Sequence, residues 1–322
     1  MHGNRTMAPE WHDIDAVMLA WPHSQTDWAP WLEEARATYL NVIAAVNRND
    51  AGVILLCAPS DVDDLKSRLP ESARVLIVAA SFNDTWMRDY GFITCKDSEG
   101  NGSPVEFRFN GWGNKFNATE DNLANQRYLA AMCKSVLRSS PIVAEGGALE
   151  IDENGHLLST AQCLLNPERN GDMSLSAYED AFKDMLGCSK VTILQHGHLE
   201  GDDTDGHIDT LVRFTPNKGL VIQACNNRPN DSHFEGLKAL CDECSLELPE
   251  HEQFHLPLPH IENDEGDRLP ASYANYLICN KAILLPVYGE EEDAEAIETV
   301  QRAHPNHIVE PIDCSVLVRQ YG

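Results

Sequence analysis

The stretch GLVIQACNNRPNDSHFEGLKALC, residues 219–241, sets out the repeating structural unit of this chain. A short apolar run, Gly219–Ala224, gives way to the polar segment Cys225–Pro229 and then to a helix-forming segment near His233–Cys241. Apolar runs this short, bounded by Pro, Gly and Asn, read as buried strands. The same order recurs elsewhere. Ala16–Trp21 leads through Pro22-His23-Ser24 to a helix of about Trp31–Val46, where Leu32, Ala35, Tyr39, Val42 and Val46 fall three and four apart. Val53–Ala58 leads through Pro59-Ser60-Asp61 to a short helix, Leu157–Thr160 through Cys163–Pro167 to a helix near Leu175–Leu186, and Ala282–Val287 through Tyr288-Gly289 to a helix near Asp293–Ala303. The strands start at 16, 53, 157, 219 and 282, so the gaps are 37, 104, 62 and 63. This pattern predicts an α/β protein. The regular last gaps favour internal repeats, although an open doubly wound sheet has the same element order.

The 322 residues carry 24 Lys and Arg against 51 Asp and Glu, a formal net charge of −27. Such a surface argues against nucleic acid and anionic membranes as partners and favours small cations. No segment approaches the roughly 18 continuous apolar residues of a membrane span. Met1–Asp13 is polar and lacks the apolar centre of a signal peptide. Ten cysteines scattered along a chain of this length do not form a disulfide framework, so the expected setting is a reducing cytoplasm. A homo-oligomer is compatible with the sequence and not decided by it.

Chemistry concentrates in Gly201–Asp209 (GDDTDGHID), which packs four carboxylates around one histidine. Like charges held close repel and make some carboxylates harder to ionise. A cluster of this kind suits a cation, either a metal or an organic base such as a guanidinium. A calcium loop does not fit, because its first and twelfth ligand positions would be Gly201 and Val212. His196, His198 and His207 with Asp203 and Asp209 could instead form a metallohydrolase cluster. In Asp84–Gly91, Trp86 and Asp89 could present an apolar face and a carboxylate to a cation with an apolar tail. Trp112, in the turn Asn110–Lys115, could line a pocket wall. In Glu145-Gly146-Gly147, a carboxylate stands beside glycines that let backbone pass close to a ligand. Cys241-Asp242-Glu243-Cys244 is a lone CxxC without a partner pair.

Taken together, Trp86–Gly91, Asn110–Lys115, Glu145–Gly147, Cys163–Asn170, Gly201–Asp209 and Ser272–Tyr276 fall in the order found in the agmatine deiminase / bacterial-type peptidylarginine deiminase family, which the chain resembles over nearly its whole length. The resemblance implies a pentein fold, a five-bladed α/β propeller with pseudo-fivefold symmetry, in a single catalytic domain spanning 1–322. It also implies a guanidine hydrolase that needs no metal or organic cofactor and acts on a small cationic guanidine, converting agmatine to N-carbamoylputrescine and ammonia on the route to putrescine. By that resemblance Asp89 and Asp209 hold the guanidinium, His207 is the general acid/base, Glu145 is a substrate-site carboxylate and Trp86 walls the substrate chain. Asn275 lies in a motif near the site, and Trp112 and Asp203 complete the substrate-binding set.

Such a family carries its nucleophilic cysteine near the C-terminus, in a glycine-rich turn followed by His-Cys. The sequence here reads Arg319-Gln320-Tyr321-Gly322 where that turn is expected to begin. The role does not transfer to Cys314 or to any of the other nine cysteines by motif. The expectation is therefore a deiminase domain without its extreme C-terminal active-site turn. The other readings kept open are a peptidylarginine or free-arginine deiminase, a guanidine-binding protein without turnover, and the metallohydrolase.

Overall fold

The computed structural model describes residues 5–321. Of the polar opening Met1–Asp13, the first four residues lie outside that range, as does Gly322.

The strands among the described residues form five separate small sheets, each of them open. The first joins Ala16–Ala20, Gly52–Cys57 and Val75–Ala79, all parallel. The other four share one plan, in which an antiparallel hairpin is followed by a crossover to a parallel strand. In the second sheet Ile93–Asp97 pairs antiparallel with Gly102–Arg108, which runs parallel to Arg138–Val143, and Arg5–Met7 adds an edge. The third sheet is Glu150–Ile151, His156–Thr160 and Lys190–Leu194. The fourth is Val212–Thr215, Gly219–Gln223 and Glu252–Leu256. The fifth is Leu277–Cys279, Ala282–Val287 and Ile308–Asp313.

Helices Leu32–Arg48, Leu175–Leu186, Phe234–Glu247 and Asp293–Ala303 supply crossovers in the first, third, fourth and fifth sheets. They bury one face each, as the spacing of their apolar residues predicts. The helix Leu175–Leu186 buries Tyr178, Phe182, Met185 and Leu186, is capped by the Ser174 side chain, and stops at Gly187 in the left-handed region.

The units differ from the sequence reading in one respect. The strands starting at Ala16 and Val53 belong to the same sheet, and the second sheet has no counterpart among the apolar runs. Ile93–Asp97 (ITCKD) and Gly102–Arg108 (GSPVEFR) carry charges, Ser and Pro, so no continuous apolar run marks them. Their crossover also lacks a long amphipathic helix. Residues 111–132 instead make short turns of helix, Gly111–Asn114, Asp121–Leu123, Asn125–Leu129 and Ala130–Met132. No 3.6-residue period arises from such pieces, which explains the gap of 104 residues.

Apolar clusters tie neighbouring sheets together. One joins Leu55 of the first sheet to Ile283 and Leu285 of the fifth and Val221 of the fourth. A second joins Leu220 of the fourth to Leu158 and Leu194 of the third. A third joins Leu157 and Ile151 to Val105 of the second. A fourth joins Leu56 of the first to Phe109, one residue beyond the second sheet's strand Gly102–Arg108.

A buried charge knot lies among these layers. The Arg213 guanidinium donates to Glu150 (2.9 Å), to Glu10 (2.6 Å), and to the carbonyls of Ala274 and Tyr276 (3.1 and 2.8 Å). At the exposed edge of the knot, Glu10 also pairs at 3.1 Å with the exposed Arg88, the residue next to Asp89. Every member of the knot is partnered, which is the condition for burying charge without a large penalty. No helix among the described residues is long and apolar enough to cross a membrane.

Candidate active site

Three short helical turns meet at one point. Met87–Tyr90 carries Asp89, Gly146–Ala148 follows Glu145, and Ile208–Thr210 carries Asp209 and is entered from His207. Close approach depends on the glycine pair. A Cβ at Gly146 would stand 2.1 Å from the Arg88 carbonyl oxygen. A Cβ at Gly147 would stand 2.6 Å from His207 Nδ1, 2.7 Å from Asp209 Oδ2 and 2.7 Å from Asp89 Oδ1. Three polar side chains therefore converge on a backbone that offers them no side chain of its own.

Both Asp89 oxygens are engaged. Oδ1 accepts from the Gly147 N–H at 2.9 Å, and Oδ2 accepts from the Trp112 indole N–H at 2.9 Å. His207 is buried between two carboxylates, with Nδ1 3.6 Å from Asp89 and Nε2 3.8 Å from Glu145. Burial alone would lower its pKa, but Asp89, Cys163 and Glu145 outweigh that and hold it well above the ordinary histidine value. Burial pushes Asp209 up to about 6; His207 pulls against the rise, Asp89 adds to it, and Arg88 and Arg213 oppose it.

Behind His207, Glu145 meets two residues that the sequence did not single out, Arg169 and Cys163. Glu145 is fully buried, and Arg169 Nε donates to both of its oxygens at 2.9 and 3.0 Å. Burial would raise the Glu145 pKa, yet His207 and Arg169 keep it below the usual carboxylate value. The Cys163 thiol points at Glu145 Oε2 from 3.9 Å, and burial raises its pKa, with Glu145 adding to the rise. Local capping positions these residues. Thr160 caps the helix Ala161–Leu164 that bears Cys163, and Asn166 caps Pro167–Asn170, which bears Arg169.

The acidic run divides its carboxylates among separate tasks. Asp202 folds the loop itself, accepting from Thr204 N–H and O–H and from Gly206 N–H. Asp205, held at φ 67°, binds Arg169 (2.6 Å), Asn166 (2.8 Å) and Lys115 (2.8 Å). Asp209 faces the convergence point. Asp203 is half-buried, and burial and then Asp202 push it up to about 7.

The structure brings Asp89, Glu145, His207 and Asp209 together, and it changes how some sequence candidates reach the site. Glu145 is enclosed by Arg169 and faces His207, so it does not line an open wall. Trp112 is buried edge-on to Phe109 and Phe116 with its N–H spent on Asp89, so it acts through Asp89. Trp86 is half-buried against Trp28, ring centres 5.8 Å apart. Asn275 is exposed, its N–H on the Ser272 carbonyl. His196 and His198 are exposed and stand apart from the buried His207, so the proposed three-histidine cluster does not assemble. The expectation that the nucleophile's role transfers to none of the ten cysteines by motif left all of them away from the site; a missing cysteine is not what the structure supports, because Cys163 lies buried beside Glu145 and His207. Both Cys163 and Arg169 lie in the quoted motif Cys163–Asn170, where residue type alone did not mark them.

The family model for Porphyromonas-type peptidyl-arginine deiminases matches residues 6–322. The chain belongs to that family. A relative from Vibrio parahaemolyticus, provisionally named an agmatine deiminase, is 31% identical over 326 residues, covering 92% of this chain and 88% of its own. A solved Porphyromonas gingivalis protein, provisionally named an arginine deiminase, is 38% identical with a TM-score of 0.90, covering 99% of this chain and 95% of its own. A cysteine-to-serine variant of the C. jejuni agmatine deiminase, solved with substrate bound, is 31% identical with a TM-score of 0.91, covering 99% and 93%. Membership in this deiminase family gives the mixed α/β fold its match among solved structures and identifies the chain as a guanidine-modifying hydrolase by kind.

Within this deiminase, Trp112 offers a clean test of how Asp89 is held. Trp112→Phe keeps an aromatic ring against Phe109 and Phe116 but removes the N–H donated to Asp89 together with part of the buried indole's volume. A lost hydrogen bond to a charged group costs about 1.5–3 kcal/mol, or about ten- to a hundredfold in kcat/KM. Wild-type kcat/KM in this variant would reduce Trp112 to packing.

Proposed function

We propose that the chain hydrolyses the guanidinium of agmatine, releasing ammonia and N-carbamoylputrescine. The observation that carries this reading is the convergence of Asp89 Oδ1, Asp209 Oδ2 and His207 Nδ1 on Gly147. Two carboxylates can hold a planar guanidinium by paired hydrogen bonds and fix its plane. A cysteine thiolate attacks the central carbon, the imidazolium of His207 protonates the departing nitrogen, and ammonia leaves a thiouronium adduct. His207 then takes a proton from water, which displaces the thiolate and leaves the ureido product. That the C. jejuni protein was solved with substrate as a cysteine-to-serine variant supports a thiol mechanism.

Cys163 fits a supporting role better than the attacking one. It lies with Glu145 on the Nε2 side of His207, whereas Asp89 meets Nδ1, and burial disfavours its thiolate. The attacking sulfur has to reach the Nδ1 side.

Agmatine is favoured over arginine because the cations near the cluster are already engaged. Arg88 pairs with Glu10, Lys115 with Asp205, and Arg169 with Glu145 and Asp205, which leaves none of the three for an α-carboxylate. The half-buried Trp86 suits an apolar tail. The linked clusters of the five sheets support a five-bladed propeller around this site, and ten free cysteines support a reducing compartment. The deciding experiment measures ammonia release from agmatine, free arginine and a blocked arginyl peptide side by side. Agmatine is expected to give the highest kcat/KM; a higher value for the peptide would move the assignment to a peptidylarginine deiminase.

A further inference from the structure

We infer that Glu145, Cys163 and His207 form a binding site for a soft divalent cation of the zinc type, and that filling it switches the enzyme off. A carboxylate, a thiol and an imidazole are donors zinc accepts. They come from three separate segments, and one ligand atom from each lies within 4.8 Å of the other two. Cys163 Sγ is 3.9 Å and His207 Nε2 is 3.8 Å from Glu145 Oε2. Tetrahedral zinc with bonds of about 2.0–2.3 Å sets ligand atoms about 3.3–3.6 Å apart, so the two separations from Glu145 need to shrink by only a few tenths of an ångström, and that between Cys163 and His207 starts within 4.8 Å.

A second observation points to a ligand here. His207 Nε2 is buried, has no hydrogen-bond partner, and faces the Glu145–Cys163 pair. Such an atom is costly to leave unpaired, and a metal would satisfy it. Arg169 is the opposing feature, since its Nε contacts both Glu145 oxygens. Turning Oε2 to the metal leaves Oε1 on Nε at 2.9 Å and Nη1 on Asp205 at 2.6 Å. Asp89, Asp205 and Asp209 offset the added positive charge. On binding, the Cys163 thiol proton and the Nε2 proton of the His207 imidazolium both leave to solvent as the metal–sulfur and metal–nitrogen bonds form.

Metal on Nε2 withdraws His207 from proton transfer, so occupancy and turnover exclude one another. The binding claim stands independently of the proposed function, and only the inhibition rests on it. The test uses the whole protein stripped with chelator and titrated with Zn²⁺ by equilibrium dialysis, with Co²⁺ as a spectroscopic probe. Expected are one Zn²⁺ per chain, a thiolate-to-cobalt charge-transfer band, loss of that band in Cys163→Ser, and Zn²⁺ affinity in that variant lower by about a hundredfold or more. The stripped protein is expected to turn over its guanidine substrate and to lose that activity on adding Zn²⁺. Absence of the cobalt band in the unmodified protein, or an affinity unchanged by Cys163→Ser, overturns the site. Activity that requires the metal overturns the inhibitory role. One-to-one, Cys163-dependent binding in a protein inactive on every guanidine keeps the site and sinks the deiminase reading.

Discussion

His207→Ala is expected to lower ammonia release from agmatine by about a thousandfold, within the usual range for loss of a general acid/base, while leaving substrate binding within about tenfold because both clamping carboxylates remain. The split follows from geometry. Asp89 is held by the Gly147 and Trp112 N–H groups, so its position does not depend on His207. In the proposed mechanism the imidazole carries the protons, and its raised pKa suits it to act as an acid at neutral pH. Asp209 sets a different limit. Burial pushes it up to about 6, and it must be ionised to hold a cation. The free enzyme therefore loses activity as pH falls through about 6, visible in kcat/KM, and recovers it above. Bound guanidinium favours the ionised form, so the limb in kcat lies lower. Asp209→Asn removes the charge and is expected to abolish turnover across the range. Rates near wild type in either variant would refute these roles.

Gly147→Ala should be nearly as damaging without touching any reacting group. The added methyl would lie 2.6–2.7 Å from His207, Asp209 and Asp89, distances that force the side chains apart. Overpacking of this kind costs about 1–3 kcal/mol of stability, which a chain of this size survives. Displacing clamp and acid by even an ångström costs about a hundredfold in rate. The expected result is a folded protein with cooperative melting and at most about 1% of wild-type kcat/KM. A fully active Gly147→Ala protein would mean that the three side chains do not act on this spot.

Some of this was legible in the residues. The helices Leu175–Leu186 and Asp293–Ala303 and the strand Ala282–Val287 have the bounds that apolar spacing predicts, because their apolar patterns are strong, and the first helix is also bounded by the Ser174 cap and Gly187. Asp89, His207 and Asp209 stood out because acid is dense around one histidine and beside tryptophan. The second sheet was not legible, since its strands are polar and its crossover is built of short turns. Cys163 and Arg169 were passed over for a different reason. A cysteine in LLNPERN company looks like core, and an arginine there looks like surface; only burial beside Glu145 gives each a task.

The sequence by itself determined the kind of protein, because strand–helix order, the motif set and the acidic run are properties of residue type and spacing. Tertiary structure decided the function of each carboxylate. Asp202, Asp203, Asp205 and Asp209 are chemically alike and lie within eight residues, yet one folds a loop, one sits half-buried, one binds Arg169 and one faces the site. That sorting is set by the turn geometry of the loop and by the meeting of three distant segments at Gly147. Contacts between residues 89, 147 and 209 exist only once the sheets have packed.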